Sequence, residues 1–184
     1  MRSLLPVLAL MGCAPLASLR PAGELQGAGR SYEVGAGYVA LGPRPYVIED
    51  WQYTGQVWGT LALSRSWELA AVGAFDEVAA AGGGALRWTP LHLHRFAAGT
   101  EVEIGYAWAG FALPIAAQPL DGLWLYTAPR VGTQGIHATP ALPVGISLET
   151  LPGCMVRAEW QTSWAQFYAY QRRTHLAVGI AYAW

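Results

Sequence analysis

Two carboxylates, Glu101 and Glu103, stand two residues apart in a stretch where apolar and polar residues alternate. On a β-strand, residues with this spacing point to the same side. Paired carboxylates can share a proton or bind a cation. They can also be strand charges that pair with arginines on adjacent strands, and this second interpretation is the one that we expect.

Two histidines, His92 and His94, alternate with leucine beside Arg95. A protein zinc site uses three or four ligands, and these histidines have no carboxylate or thiol close to them in the sequence. We therefore expect them to be loop residues at an interface or in solvent. We predict no metal site and no cofactor.

The sequence contains no motif of a catalytic serine or of a phosphate-binding loop. The Gly-x-Ser-x-Gly pattern of a nucleophile elbow does not occur, although many hydrolases depend on it. Gly82-Gly83-Gly84 lacks the lysine that follows a phosphate-binding loop. Ser163 and His175 could form a serine–histidine pair near the end of the chain, but no acid partner can be assigned to them. We predict that the protein is not an enzyme.

The composition limits what can surround these residues. Charged residues make up 12% of the 184 residues and hydrophobic residues 53%, whereas a soluble domain usually has about 25–35% charged residues on its surface. Either much of the exterior faces something other than water, or partners cover it. The net charge of -1 gives no reason to expect nucleic acid as a partner.

Apolar residues alternate with small or polar ones through most of the chain, most clearly at its end. Leu176, Val178, Ile180, Tyr182 and Trp184 would share one face of a strand, and the residues between them are alanine or glycine. Such period-two patterns predict β-strands. Glycine and proline interrupt every window long enough for a helix, so we predict an all-β chain.

The two faces of these strands indicate which side is outside. One face is apolar and aromatic, and the other is small or charged and too rich in glycine and alanine for a water-facing exterior. In a membrane barrel, apolar side chains face lipid and polar ones face the lumen, where side chains must be small to fit. The charges that we predict to face the lumen are Glu33, Glu68, Arg87, Glu101, Glu103, Arg157 and Glu159.

The amino terminus has the features of an export signal. Leu4–Met11 is an apolar run after a basic residue; it is too short for a membrane span of about 20 residues but typical of a signal peptide. The run ends in Leu10-Met11-Gly12-Cys13, which resembles the lipobox of bacterial lipoproteins and implies lipidation of Cys13. Cleavage near Ala17 as an ordinary secretory signal is the alternative.

The last eleven residues, Thr174 to Trp184, resemble the C-terminal assembly signal of small bacterial outer-membrane β-barrel proteins, in which alternating apolar residues end in an aromatic one. The usual last residue of that family is Phe, so Trp184 is a departure. The resemblance implies an antiparallel, up-and-down transmembrane β-barrel in the outer membrane of a Gram-negative cell, with a periplasmic N-terminus. It also implies outer-membrane lipids, lipopolysaccharide and the barrel-assembly machinery as partners, and an envelope protein complex is a further candidate.

We count nine candidate strands, at 31–41, 52–64, 67–76, 78–89, 100–109, 121–132, 140–150, 154–164 and 173–184. Bacterial single-chain barrels have an even number of strands. A tenth arises if 100–118 divides at Ala109-Gly110, and eight remain if residues 14–51 lie outside the barrel, so we predict eight to ten. The predicted connections are Gly42–Asp50, Thr89–Ala98, Gly132–Thr139 and Phe167–Arg173.

The chain then divides into three parts. Residues 1–12 are the predicted signal peptide, residues 13–30 a periplasmic linker, and residues 31–184 a single barrel domain. We expect a structural, adhesive or complex-anchoring role in the cell envelope, because side chains largely fill a barrel of eight to ten strands. The alternatives are a narrow channel or carrier of small ligands, a lipid-modifying outer-membrane enzyme, and a soluble periplasmic barrel tethered by a lipid on Cys13.

Overall fold

The computed structural model describes residues 19–42, 51–75, 80–105, 108–134, 137–167 and 169–184. These residues include one short helix, α1 (Glu24–Gly27), and none of the helices among them is long and apolar enough to cross a membrane. The strands are β1 (Tyr32–Leu41), β2 (Gln52–Ala62), β3 (Trp67–Phe75), β4 (Ala80–Leu93), β5 (Phe96–Gly105), β6 (Trp108–Ala112), β7 (Ile115–Leu120), β8 (Leu123–Thr127), β9 (Arg130–Gln134), β10 (His137–Leu151), β11 (Cys154–Phe167) and β12 (Ala169–Ala183).

The strands form one closed antiparallel barrel. Neighbouring strands pair around the ring, and β12 pairs with β1 to close it. At the closure Glu33 lies opposite Ala183 and Leu41 opposite His175, so the pairing extends along nearly all of β1. Closure satisfies the backbone hydrogen bonds that an open sheet edge would leave exposed.

Ten strands cross the barrel wall, because four of the twelve segments are halves of two interrupted strands. β6 and β7 both pair with β5, and β8 and β9 both pair with β10. The ladder between the two interrupted strands keeps its register across both interruptions and shifts once, between Ala117 and Leu120. The interruptions fall at Pro114 and Pro129, where proline has no N–H to donate to a neighbouring strand.

The all-β barrel is confirmed, with a strand number at the upper limit of the predicted range. The tenth strand, beyond the nine counted from the sequence, comes from the predicted division of residues 100–118. That division lies earlier than the predicted Ala109-Gly110, because β5 ends at Gly105 and β6 begins at Trp108. The eight-strand alternative is wrong, because β1 is paired on both of its sides.

The predicted connection at Thr89–Ala98 is wrong, because most of it is strand. β4 continues to Leu93 and β5 begins at Phe96. The ladder changes register around Pro90 and then resumes, as it does at a β-bulge. A proline therefore ends the sequence pattern here without ending the strand.

The connections predicted at Phe167–Arg173 and Gly132–Thr139 are also too long. β11 reaches Phe167 and β12 begins at Ala169, while β9 and β10 extend into the second predicted connection from either side. Strands in a barrel continue because pairing satisfies backbone groups that would otherwise lack partners. Most of the fourth predicted connection, Gly42–Asp50, lies outside the described residues.

The first and last strands meet at one end of the barrel, which we call the terminal end. There the amide of Tyr32 donates to the carbonyl of Trp184 at 3.2 Å. The connections at 63–66, 94–95, 121–122 and 152–153 lie at this end as well. The last two turn at Gly122 (φ 76°) and Gly153 (φ 83°), a left-handed conformation that costs other residues about 1–2 kcal/mol. We call the opposite end the far end.

The exterior of the barrel is apolar between these two ends. Ile104, Val178 and Tyr38, for example, are each more than half exposed. Among the described residues, exposed charged side chains occur near the ends of the barrel. They are Arg65, Arg95 and Asp121 at the terminal end and Arg172 toward the far end.

Exposed aromatic side chains lie at both ends of this apolar band. At the terminal end Trp184 stacks on Tyr32 and on Tyr182, with ring centroids 5.9 Å apart in each case, and Trp67 stacks on Trp88 at 6.0 Å. Amphipathic aromatics of this kind collect where a membrane meets water. Among the residues that the structure describes, exposed aromatics toward the far end include Tyr38, Trp51, Tyr53 and Phe75.

Candidate functional site

Inward-facing strand positions place charged side chains inside the barrel. A charge in such surroundings needs an ionic partner or hydrogen bonds, and most of these charges fall into two clusters. Every charge that the sequence assigns to the lumen is at most 6% exposed. These residues are Glu33, Glu68, Arg87, Glu101, Glu103, Arg157 and Glu159.

Arg157 of β11 is the centre of the first cluster. Its Nη2 donates to Glu24 and to Glu33 at 2.6 Å each, and its Nη1 donates to Glu33 at 2.7 Å. Its Nε donates to the hydroxyl of Ser147 at 3.3 Å, and that hydroxyl donates to Glu24 at 2.7 Å. The planar guanidinium can hold two carboxylates at once, so it joins β11 to both β1 and α1.

A glycine on β1 makes room for an aromatic ring in this cluster. The indole Nε1 of Trp58 donates to Glu33 at 2.8 Å. The same ring lies against Gly35, where a Cβ atom would be 2.1 Å from the ring. Arg157 Cζ lies 6.0 Å from the ring centroid, at the limit of a cation–π contact. A larger residue at Gly35 would displace the indole and remove one hydrogen bond from Glu33.

Arg87 of β4 is the centre of the second cluster. Its Nε donates to Glu101 at 2.8 Å and its Nη1 to Glu68 at 3.3 Å. Arg20 Nη2 donates to both carboxylate oxygens of Glu101 at 3.1 Å. Glu103 pairs with an arginine of a different strand, Arg130, at 3.4 Å. Glu101 and Glu103, which the sequence places on one face of a strand, thus each form an ion pair with arginine.

The second half of the predicted linker runs through the lumen. We call residues 19–27 the plug segment. Leu19 is 0% and Ala22 1% exposed, and the charged Arg20 and Glu24 are each 6% exposed. A linker in water would leave such residues exposed. The segment stays inside because its apolar side chains leave water and its charges find partners on the barrel wall.

Backbone carbonyls of the plug segment bind the same two arginines that organise the lumen. The carbonyl of Leu19 accepts a hydrogen bond from Arg157 Nη1 at 2.6 Å. The carbonyls of Arg20 and Pro21 accept from Arg87 at 3.0 Å and 3.1 Å. Each arginine therefore binds carboxylates of the barrel and the backbone of the segment at the same time.

Small residues allow the plug segment to approach the wall closely. Gly23 has a φ of 70°, and a Cβ atom there would lie 2.6 Å from Ala97 Cβ. Neither the backbone conformation nor the space suits another residue. Ala97 belongs to an apolar cluster inside the barrel together with Ala22, Ala116, Trp124 and Tyr126.

Beyond α1 the chain leaves the lumen at the terminal end and enters β1. Arg30 forms an ion pair with Glu149 there. Glu149 also accepts from the amide of Gly153 at 2.8 Å, and the amide of Ser31 donates to the carbonyl of Trp184 at 3.0 Å. The exit of the segment is therefore also held by an ion pair, which is more exposed than the pairs inside the lumen.

The periodicity of the sequence does not predict that the plug segment lies in the lumen, because period-two alternation identifies strands and this segment is not a strand. One signal was available. Arg20 and Glu24 are close together in a chain with 12% charged residues, and they lie beside apolar residues. In a chain with so few charges, charged residues that lie next to apolar ones are candidates for burial as ion pairs.

Ser163 and His175 do meet, with 2.9 Å between Oγ and Nε2 across β11 and β12. Both are buried inside the barrel instead of facing lipid at its rim. Their charged neighbour Arg173 donates to the carbonyl of Gly42 at 2.9 Å and to Gln52 at 2.8 Å. A catalytic serine needs an acid that orients the imidazole and donors for an oxyanion. The pair has the surroundings of a structural contact in the barrel wall.

The two histidines considered as metal ligands lie close together in the sequence at one end of the barrel. Among the described residues, no three His, Cys, Asp or Glu side chains are grouped as a metal would require. His92 and His94 are both exposed at the terminal end. The ring of His92 lies beside the plug segment, 3.3 Å from the Cβ position of Gly23.

The residues of the predicted assembly signal all lie on the outside of β12 and at the chain end that follows it. The alanines between them point inward and are buried. The role of this strand in assembly stays a prediction, and so does lipidation of Cys13, which lies outside the described residues. The outward residues are Leu176, Val178, Ile180, Tyr182 and Trp184.

Comparison with known proteins finds similar structures but no sequence family. No family model matches the chain, and no curated protein matches it. The chain is similar to KdgM porin, with 12% identity, a TM-score of 0.49 and coverage of 82% of this chain and 99% of that one. It is also similar to Ail, the attachment invasion locus protein of Yersinia pestis, with 10% identity, a TM-score of 0.44 and coverage of 84% and 97%. Similarity to the outer membrane protein Omp33 of Acinetobacter baumannii is lower, with 9% identity, a TM-score of 0.37 and coverage of 84% and 98%.

Proposed function

We propose that this chain is an integral barrel of the outer membrane of a Gram-negative cell, with a structural, adhesive or complex-anchoring role and no catalytic activity. One observation carries the proposal: the wall is apolar outside and charged inside. Lipid provides no hydrogen-bond partners, so a membrane barrel places polar groups in its lumen and apolar groups outside. A soluble barrel has the opposite arrangement.

The same surface argues against a soluble periplasmic barrel tethered by a lipid. Soluble proteins rarely expose a continuous apolar patch larger than a few hundred Å². Here the exposed apolar side chains continue across neighbouring strands, with Val178 on β12, Tyr38 on β1 and Val57 on β2 as examples. In water this surface would drive aggregation, whereas in a bilayer it is stabilising.

The occupied lumen supports an anchoring or structural role over wide diffusion. The plug segment fills the lumen near the terminal end and is bound by Arg87 and Arg157. Removing it would separate Glu24 from Arg157 and Arg20 from Glu101, which are buried ion pairs and therefore costly to break. The lumen of a barrel of this size is narrow even without such a segment.

The proposed orientation places the terminal end in the periplasm. Arg172 would then lie toward the outer leaflet, where a guanidinium suits the phosphates of lipopolysaccharide. The exposed aromatic side chains at the two ends of the wall would lie at the two interfaces with outer-membrane lipids. β12 would be the strand offered to the barrel-assembly machinery, and the exposed turns around Arg65 and Arg95 are where an envelope protein complex would dock.

Heat-modifiable gel migration tests this proposal. The full chain, purified from outer membranes in mild detergent, should migrate differently before and after boiling and should resist extraction by carbonate or urea. A single migration state would contradict the barrel. A Cys13→Ala variant serves as the control for tethering: its release into the soluble fraction would show a tethered soluble protein instead of an integral one.

A narrow channel or carrier of small ligands is the second candidate. It is favoured by the polar lining of the lumen beyond the plug segment, which includes Gln56, Gln161, Ser163 and His175. Conductance above background in planar bilayers, from the full chain with its plug segment in place, would favour this function over the first.

A further inference from the structure

The outer face of β12 changes from apolar to polar at one level of the barrel. Its outward side chains from Leu176 to Trp184 are apolar, and Thr174 and Arg172 follow them toward the far end. With a rise of about 3.3 Å per residue and a tilt of about 40°, Thr174 is roughly 25 Å and Arg172 roughly 30 Å from the level of Trp184. The apolar band of an outer-membrane barrel is about 25 Å tall. Arg172 therefore lies just beyond that band, at the level of the lipid headgroups.

The guanidinium of Arg172 is exposed and has its hydrogen-bond donors available. Among the arginines that the structure describes, Arg172 and Arg65 are the two without a hydrogen bond or an ion pair. Arg65 lies at the terminal end, so the two side chains are at opposite ends of the wall. A guanidinium presents its N–H donors in a plane that matches the oxygen atoms of a phosphate. The level and the chemistry of Arg172 therefore suit the phosphate of a lipid headgroup.

Two tryptophans flank Arg172 on the outer face of the wall. Trp164 of β11 lies directly opposite Arg172 in the ladder, which places the two Cβ atoms about 4.5–5.5 Å apart. On the other side of β12, the amide of Gly42 donates to the carbonyl of Thr174 at 2.8 Å. The ring of Trp51 covers Gly42, since a Cβ atom at Gly42 would lie 3.5 Å from Cη2 of that ring. Arg172 thus has an indole on each side.

The ring of Trp51 lies on the outside of the barrel, where a lipid headgroup can reach it. Leu41 packs against the apolar cluster inside the lumen, so the next residue, Gly42, faces outward, and the ring that covers Gly42 is outside as well. Trp51 is 42% exposed. The π face of an indole carries a partial negative charge, which attracts the C–H bonds of a sugar ring. The outer face at this level therefore has a cation for a phosphate and flat aromatic surfaces for a sugar.

We propose that Arg172, Trp51 and Trp164 form a binding site for the phosphorylated sugar headgroup of lipopolysaccharide. The inference rests on the proposed function, because the terminal end must lie in the periplasm for the far end to reach the outer leaflet. The headgroup supplies a phosphate for the guanidinium and sugar rings for the two indoles. Thr174, which is half-buried in the same part of the wall, adds a hydroxyl. A phosphatidylglycerol headgroup supplies the phosphate but no sugar ring, so the indoles favour lipopolysaccharide over a phospholipid.

Lipid binding by the full chain in micelles of a neutral detergent tests the site. The probes are lipid A with its phosphates, lipid A from which the phosphates have been removed, and phosphatidylglycerol, and calorimetry measures the affinity for each. Because a hydrogen bond to a charged group is stronger than a neutral one, phosphorylated lipid A should bind about tenfold more tightly than either of the other two lipids. Equal affinity for phosphatidylglycerol would overturn the proposal.

Arg172→Gln tests the guanidinium. The change removes the charge and should weaken the binding of phosphorylated lipid A about tenfold, without affecting lipid A that has no phosphate. Arg65→Gln is the matched control, because Arg65 is also an exposed arginine without a partner in the described part of the chain, at the other end of the barrel. Its affinity should equal that of the unchanged protein. Equal losses in the two variants would overturn the role of Arg172.

Trp51→Leu tests the aromatic part of the site. The variant should bind both forms of lipid A less tightly and bind phosphatidylglycerol as the unchanged protein does. Trp67→Leu is the control, since Trp67 is a similarly exposed aromatic at the terminal end. An unchanged affinity of Trp51→Leu for lipid A would overturn the sugar contact and with it the preference for lipopolysaccharide.

Heat-modifiable migration of each protein separates failure of the site from failure of the proposed function. A barrel that shifts on boiling but binds the three lipids equally would overturn this inference and leave the proposed function standing. A chain that never shifts would overturn the proposed function, and the lipid site with it.

Discussion

Buried arginines join the wall and the plug segment through one side chain each. Arg157 donates to two carboxylates, a hydroxyl and the backbone carbonyl of Leu19. A guanidinium has five N–H donors in a plane, whereas a lysine ammonium has three at a single point. Only a guanidinium can donate hydrogen bonds to β1, β10, α1 and the backbone of Leu19 at the same time. The position therefore requires arginine.

Replacing Arg157 with methionine should strongly destabilise the barrel. The change keeps much of the side-chain volume but leaves Glu24 and Glu33 without their shared guanidinium. Removing one partner of a buried ion pair typically costs about 3–5 kcal/mol. Urea unfolding of the barrel in lipid or detergent, followed by heat-modifiable migration, measures the loss.

The control for this change is Arg95→Met. Arg95 pairs with Asp121 in an exposed turn, and exposed pairs contribute about 0–1 kcal/mol. Similar losses in the two variants would show that Arg157 does not act through burial of its partners.

Alternation in the sequence predicts that charges such as Glu33 and Arg157 point inward, but it does not predict their partners. Which charge lies beside which depends on strand register and on tilt, neither of which is local. Arg157 also pairs with Glu24, a residue outside every predicted strand. The pairing of Arg157 with Glu24 can be predicted only if the path of the plug segment through the lumen is known.

The elements differ in how well local sequence defines them. The last part of β12 is predictable because the alternation from Leu176 to Trp184 is unbroken, whereas Pro90 interrupts the pattern of β4 without ending its pairing. Pro114 and Pro129 interrupt two other strands, and the ladder keeps its register across both. Pairing with two neighbours decides where a barrel strand ends, so a local pattern underestimates its length.

Gly23→Ala should release the plug segment. The new Cβ would lie 2.6 Å from Ala97, at a φ of 70°. Amides of residues 19–27 should then exchange faster, because the segment must move away from the wall. Gly29→Ala is a matched control, since Gly29 has the same φ of 70° but nothing within 4 Å. It should cost only the backbone strain of about 1–2 kcal/mol, and equal exchange in both variants would contradict close packing as the reason for Gly23.

The double change Tyr182→Asp and Trp184→Asp should prevent assembly. Both side chains are about half exposed on the outside of the wall, and each new Asp near the membrane interface costs less than about 1 kcal/mol. The folded species in outer membranes should fall about tenfold or more, because this strand must also be accepted for insertion.

Trp67→Asp tests whether that effect belongs to the last strand. Trp67 is an exposed aromatic at the same end of the barrel, on β3. We expect a smaller loss of folded protein from this variant, measured by quantitative blotting of unboiled samples. A loss as large as that of the double variant would show a general surface effect instead of an assembly signal.

At the scale of the whole molecule, the barrel combines an apolar wall with a charged interior that its own chain fills. The clusters around Arg87 and Arg157 are completed by residues of the plug segment. The lumen is therefore stabilised by the same contacts that hold the plug segment inside it.

Deleting residues 19–27 should turn the closed barrel into a conducting one. The deletion removes the backbone carbonyls that bind Arg87 and Arg157 and leaves those arginines paired with Glu68, Glu101 and Glu33 on the wall. The wall pairs keep the barrel folded, which heat-modifiable migration of the variant checks. In planar bilayers the full chain should stay at background conductance, while the variant should show discrete channel openings. Openings of equal size from both proteins would contradict closure by the plug segment and favour the narrow channel as the function of the intact chain, since ions would then pass a lumen that still contains it.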